Sequence, residues 1–116
     1  MKPAVVILAL AMTGCATVSD IEHTPATMSV ISGKNPREYA ECFNSKISGS
    51  RDLPVVETRR DGLRLIVAQK MSESPAAVVD IESRSGGSAI KVYERLSNLP
   101  IRFRDVQHAA EACISG

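Results

Sequence analysis

The residues of this chain that could support catalysis are few and scattered. Asp80 and Glu82 lie two residues apart, a spacing that places both carboxylates on one face of a strand. Paired carboxylates are the machinery of glycosidases, but carboxylates on a strand are usually solvated, and Glu82 is expected to face Lys91. The two histidines are His23, in a segment without regular pattern, and His108, off the apolar side of its helix. We therefore predict no catalytic residue, no metal site, no cofactor and no enzymatic activity.

Serine chemistry and phosphate binding also lack their usual motifs. The sequence contains no G-x-S-x-G pattern, which would expose a serine nucleophile at a strand-to-helix turn. The run from Ser85 to Ser88 is rich in glycine, but no lysine and helix follow it as a phosphate-binding loop requires. This run is better explained as a hairpin turn.

Arginine side chains are the polar feature best suited to binding. With Asp61-Gly62 as a two-residue turn, Arg59 would lie directly opposite Arg64 on an exposed sheet face, with Arg60 beside the turn. Like charges in that position destabilise a hairpin. An anionic partner would relieve them: a phosphate group, a carboxylate or an acidic protein patch. The alternative is that these arginines only confer solubility, with nearby Glu57 as a partial neutraliser.

The N-terminus has the composition of an export signal. Lys2 precedes the nine apolar residues of Ala4–Met12. A membrane-spanning helix needs about 20 such residues, whereas nine falls in the range of a signal-peptide core. The small residues Thr13 and Gly14 then lead to Cys15. The segment thus predicts secretion, with residues 1–14 as the signal peptide.

Met12-Thr13-Gly14-Cys15 resembles the lipobox of bacterial lipoproteins, in which the cysteine is acylated, with palmitate among the acyl chains, and becomes the mature N-terminus. The resemblance implies that Cys15 carries lipid and joins the protein to a membrane. Ala16, where a retained lipoprotein has Asp, implies an outer-membrane location with the domain facing the periplasm or the surface. The alternative is an ordinary secretion signal that happens to contain a cysteine. The resemblance covers the signal region alone and implies nothing about the domain behind it.

The resemblance also fixes the number of remaining cysteines. If Cys15 carries lipid, Cys42 and Cys113 remain, and an even pair in an exported protein predicts a disulfide. The alternatives are two free buried thiols, or a metal site that would need His23 and His108 as further ligands.

Length and charge restrict the class of protein. Removing 14 of the 116 residues leaves 102, which suits one small domain. The chain has 14 basic and 13 acidic residues, and loss of Lys2 leaves 13 of each, a formal net charge of zero. Nucleic-acid binders usually carry a basic excess, so that class is excluded.

Two helices and two hairpins are predicted to position these residues. The first helix spans Pro36–Ser48 and begins with a capping box formed by Asn35 and Glu38. The last begins at Arg104 or Asp105. The strands between them are Val55–Arg59, Leu63–Gln69, Ala77–Arg84 and Ser88–Arg95. In the second hairpin, with Gly86-Gly87 as its turn, Ile81 faces Val92 and Glu82 faces Lys91.

Apolar residues at helical spacing indicate how the helices pack. In the first helix they accompany Cys42, and in the last they accompany Cys113, so both cysteines are expected on the core side. These residues are Tyr39, Phe43 and Ile47, and Val106, Ala109, Ala110 and Ile114. We predict an α+β fold: helix, four-stranded antiparallel meander, helix, with both helices on one sheet face and joined by a disulfide.

The domain organisation follows from these elements. Residues 15–33 lack sustained periodicity and are predicted to be a lipidated flexible tether of at most ~60 Å, and residues 34–116 form the α+β domain. We expect a small lipid-anchored envelope protein that acts as a non-catalytic binding or assembly module. Its expected partners are an envelope protein or an anionic envelope component, and not nucleic acid. An inhibitor of a periplasmic enzyme and a cell-wall hydrolase remain as alternatives.

Overall fold

The computed structural model describes residues 18–69, 75–95 and 104–115. The predicted signal peptide, Cys15 and the connection over residues 70–74 lie outside the described residues. Within the three described ranges, no helix is long and apolar enough to cross a bilayer.

A five-stranded antiparallel sheet forms the centre of the molecule, with strand order β1-β5-β4-β3-β2. Its strands are β1 (Met28–Ser32), β2 (Val55–Arg59), β3 (Gly62–Ala68), β4 (Pro75–Arg84) and β5 (Gly87–Glu94). The predicted meander is present as β2 to β5, but the prediction of four strands was wrong. The additional strand, β1, pairs with β5 and lies in the segment predicted to be a tether. Its alternation covers only five residues, too few to stand out in the sequence.

The first hairpin has a register two residues away from the predicted one. Arg59 pairs with Gly62, and Arg64 pairs with Glu57, so Arg59 and Arg64 do not face each other. The two-residue turn is formed by Arg60 and Asp61, and Gly62 is already the first residue of β3. Only glycine fits at position 62. Gly62 has a φ of 158°, and a Cβ there would collide with the carbonyl oxygen of Ile81 on β4.

The second hairpin shows the same displacement. Arg84 pairs with Gly87, so that Ile81 faces Ile90 rather than Val92, and Glu82 faces Ala89 rather than Lys91. Gly87, like Gly62, is the first residue of its strand and has no room for a side chain. A shift of two residues leaves every side chain on its predicted sheet face, since the strand repeat is two.

Apolar side chains line the inner face of the sheet, on which α2 (Pro36–Ile47) and α3 (Asp105–Ala112) pack. The capping box is confirmed: the Glu38 N–H donates to Asn35 Oδ1 at 2.9 Å, and the Asn35 N–H donates to Glu38 Oε1 at 3.1 Å. The buried core consists of Met28, Tyr39, Ala40, Phe43, Ile47, Leu65, Val67, Ala77, Val79, Ile81, Ile90, Val92, Val106, Ala109, Ala110 and Cys113.

A disulfide joins Cys42 and Cys113, with a Cα–Cα distance of 5.8 Å. The predicted bridge is therefore confirmed. Cys42 lies on α2, and Cys113 is the C-cap residue that follows α3. Because both helices contribute to the same apolar cluster, the bridge ties together the two parts of the layer that covers the inner face.

A third helix, α1, covers residues 18–22 in the described part of the chain. Ile21 is buried, and Glu22 forms an ion pair with Arg64 of β3 at 2.9 Å. Arg64 lies on the outer face of the sheet, opposite to its core-facing neighbour Leu65. Residues 18–32, predicted to be tether, thus supply one helix at the outer face and one strand of the sheet.

The disulfide is expected to contribute strongly to stability because it closes a long loop, with a sequence separation of 71 residues. Replacing both cysteines, Cys42→Ser with Cys113→Ser, should lower the free energy of unfolding by about 4 kcal/mol. Urea unfolding followed by circular dichroism measures the change. Reduction of the unaltered protein should give a similar loss, and a loss below about 1 kcal/mol in both experiments would contradict the entropic account.

Candidate functional site

A row of alternating charges crosses the outer face of the sheet. Strand pairing places Glu57, Arg64, Asp80 and Lys91 side by side on β2, β3, β4 and β5, and Ser29 of β1 ends the row. Opposite charges on neighbouring strands stabilise a sheet. Lys91, which was predicted to face Glu82, therefore has Asp80 opposite it.

Arg64 is the centre of this row, and its guanidinium contacts three carboxylates. The distances are 2.9 Å to Glu22, 3.4 Å to Asp80 and 3.5 Å to Glu57, and only 18% of the Arg64 side chain is exposed. A largely desolvated arginine with several acidic partners is well satisfied within the chain. Of the three arginines predicted to bind an anionic partner, Arg64 is thus the one occupied by internal ion pairs.

Glu22 and Asp80 form a pair of neighbouring carboxyl groups beneath α1. Burial raises the pKa of Glu22, as do its hydrogen bond with Asp80 and the negative charge of Asp80, while the nearby Arg64 and Arg59 act in the opposite direction. Both carboxylates contact Arg64, at 2.9 Å for Glu22 and 3.4 Å for Asp80, and this shared contact joins α1 to the sheet.

A shallow depression of about 270 Å³ lies between the β2–β3 turn and the outer face. Its charged lining is balanced, with three basic and three acidic residues: Arg59, Arg60, Lys91, Asp61, Asp80 and Glu82. Tyr93 completes one side, and burial together with the charges of Asp80 and Glu22 raises its pKa. A balanced lining gives this depression no preference for an anion over a cation.

Three arginines beside the turns differ from Arg64 in being exposed. We call Arg59, Arg60 and Arg84 the tip arginines. None of them forms an ion pair with a residue of the described ranges. The β2–β3 and β4–β5 turns lie side by side, because the Ser83 N–H donates to the carbonyl of Asp61 at 2.6 Å. The tip arginines therefore share one end of the sheet.

The edge strand β2 is the second unusual surface. All five of its residues are exposed, and among the strands that the structure describes it lies at the end of the order, with β3 as its one neighbour. Leu53, Val55 and Val56 are 67%, 61% and 47% exposed. Such an edge, with apolar side chains on both faces, is a template for another strand. The sequence signal was the run from Leu53 to Val56, which is apolar without alternation.

The remaining candidates of the sequence occupy ordinary positions. His23 and His108 are exposed, and the His23 Nδ1 donates to the carbonyl of Ser19 at 2.6 Å. Asp80 and Glu82 share the outer face, and Asp80 forms an ion pair with Arg64 at 3.4 Å. In the part of the chain that the structure describes, no three His, Cys, Asp or Glu side chains are grouped so as to hold a metal ion.

Comparisons with protein-family models, curated proteins and solved structures find no match to this chain.

The raised pKa of Glu22 predicts a pH-dependent stability. Folding favours the protonated carboxyl, so the stability that Glu22 contributes is greatest below its ordinary pKa of 4.5 and is lost as the pH rises through its raised folded value. Glu22→Gln keeps an uncharged side chain at every pH. The variant should therefore gain stability relative to the unaltered protein as the pH rises from below 4.5 to neutrality. Urea unfolding across this range measures the difference; a difference that is constant or falls would contradict the assignment.

Proposed function

We propose that this protein is a small lipid-anchored protein of the bacterial envelope, and that it acts as a non-catalytic binding module through its β2 edge. Cys15 would carry the lipid, in accordance with the lipobox-like sequence that ends there. The proposed partner is an extended segment of another envelope protein, which would add a strand beside β2.

The observation that carries the proposal is the complete exposure of β2. Natural proteins usually protect an edge strand with charges, proline, a bulge or a covering element. Here Val55 and Val56 expose apolar surface on opposite faces of the edge, and exposed main-chain groups provide hydrogen bonds to an added strand. When a peptide adds a strand to a sheet, main-chain hydrogen bonds provide the affinity, and contacts of every second side chain provide the specificity.

The disulfide supports an envelope location, because such bridges persist in oxidising compartments. Because β2 is already a strand of the folded sheet, it loses less conformational entropy when a partner binds than a flexible segment would.

Site-specific photo-crosslinking in the producing cell tests the β2 edge. A photoreactive phenylalanine analogue in place of Val56 should give an adduct with a contiguous segment of another envelope protein. The same analogue in place of Glu41, which is exposed on α2, is the matched control and should give none. Equal adducts at both positions would contradict the proposal.

Charge at the edge should prevent the same contact. Val55→Lys added to the Val56 probe variant should reduce the adduct by about tenfold, because covering one valine is worth on the order of 1.5 kcal/mol. Val55 is exposed, so the free energy of unfolding should change by less than about 0.5 kcal/mol. Glu41→Lys provides the control for added positive charge. An undiminished adduct in the Val55→Lys variant would exclude β2 as the contact surface.

The lipid anchor has its own test. Mass spectrometry of the N-terminal peptide should find acyl chains on Cys15, and Cys15→Ser should abolish both the acylation and the retention of the protein in the membrane fraction. Cys42 and Cys113 are joined to each other, so they do not compete for acylation. An unacylated N-terminal peptide beginning at another residue would contradict the anchor.

A further inference from the structure

We infer that the part of the outer face beside the β2–β3 and β4–β5 turns lies against the membrane that holds the anchor, with the tip arginines in contact with phosphate-bearing anionic lipid headgroups. This inference rests on the proposed lipid at Cys15. It adds an orientation and a ligand class that the anchor alone does not supply.

The connection between lipid and domain is short. Cys15 precedes Val18, the first described residue of α1, by three residues, and three residues span at most about 10 Å. A flexible tether of residues 15–33 would have allowed the domain to move much farther from the membrane. The folded position of residues 18–32 removes that freedom.

The same segment is fastened to the domain at two places. At the outer face, Glu22 is paired with Arg64 at 2.9 Å. Before β1, the Thr27 N–H donates to the carbonyl of Val92 at 2.8 Å, and its hydroxyl donates to Glu94 at 2.8 Å. The first described element after the proposed anchor is therefore held at the outer face, and we infer that this face is nearer to the bilayer than the inner face.

The tip arginines belong to the same sheet face as α1. Arg59 and Arg84 share the outer face with Arg64 and Asp80 by strand alternation, and Arg60 is in the adjoining turn. Glu22 of α1 contacts that face through Arg64.

An exposed apolar side chain lies on the same face. Ile31 of β1 is 59% exposed and belongs to the row of Glu82 and Ala89. An exposed isoleucine accompanied by arginines is the composition of an interfacial contact, in which the apolar group enters the headgroup region and cations meet lipid phosphates.

The charge of this surface suits a weak, anchored contact. Two exposed carboxylates, Asp61 and Glu82, lie among the three tip arginines, so the excess is one positive charge. That excess would bind a membrane poorly from solution, but a lipid anchor supplies a high effective concentration. Guanidinium groups donate two hydrogen bonds to a phosphate, and the attraction acts within the short Debye length of a physiological solution. The β2 edge stays open at the side of the sheet.

Tryptophan fluorescence provides the test, because the chain has no tryptophan of its own. Ser85→Trp places the reporter in the exposed β4–β5 turn, and Glu41→Trp places it on the helix layer that covers the inner face. The lipidated protein is reconstituted into vesicles of phosphatidylcholine with brominated acyl chains, with or without phosphatidylglycerol. In vesicles that contain phosphatidylglycerol, quenching should be about twofold or more stronger at position 85 than at position 41.

Replacing the tip arginines gives the decisive comparison. Arg59→Gln, Arg60→Gln and Arg84→Gln together, or omission of phosphatidylglycerol, should reduce quenching at position 85 to the level at position 41. Equal quenching at both positions in the anionic vesicles of the otherwise unaltered protein would overturn the inference. A protein that lacks the acyl chain and leaves the vesicles would instead refute the anchor, so the two failures are distinguishable.

Discussion

The bridge between Cys42 and Cys113 is the constraint on which the inner half of the molecule depends. Helix α3 has eight residues and no side-chain cap at its N-terminus, so it would be marginal in isolation. The disulfide fixes its end, the buried Tyr39 hydroxyl donates to the Ala110 carbonyl at 2.6 Å, and Arg51 pairs with Asp105 at 2.8 Å. These contacts hold α3 in the layer that covers the apolar sheet face.

The outer face combines charge pairing with the burial of a few apolar side chains, among them Ile21 and Val78. Arg64 is largely desolvated there and needs acidic partners, which it obtains from two neighbouring strands and from Glu22 of α1. The third partner comes from a segment that precedes the sheet in sequence. The ion pair between Arg64 and Glu22 therefore does two things at once: it neutralises Arg64 and it attaches the N-terminal segment to the sheet. This ion pair connects the fold to the proposed mode of anchoring.

Local patterns predicted the local structure, and tertiary pairings escaped them. The Asn35–Glu38 capping box and the disulfide followed from residue type and spacing, and both are present. The predicted registers of both hairpins were wrong by two residues, because Gly62 and Gly87 were assigned to the turns. Each glycine is instead the first residue of a strand, at a place where a neighbouring backbone leaves no room for a side chain. The pair of Arg51 with Asp105 joins residues 54 apart, a separation that no pattern in one sequence indicates.

The most consequential change concerns the segment after Cys15, which sequence composition placed in a tether and which the fold includes as α1 and β1. Amide hydrogen exchange of the lipidated protein in detergent tests this directly. The amides of β1 that bond to β5 should exchange on the time scale of the amides between β4 and β5, because all belong to one sheet. Exchange of residues 28–32 at the rate of an unstructured chain, while β4 and β5 remain protected, would contradict the account.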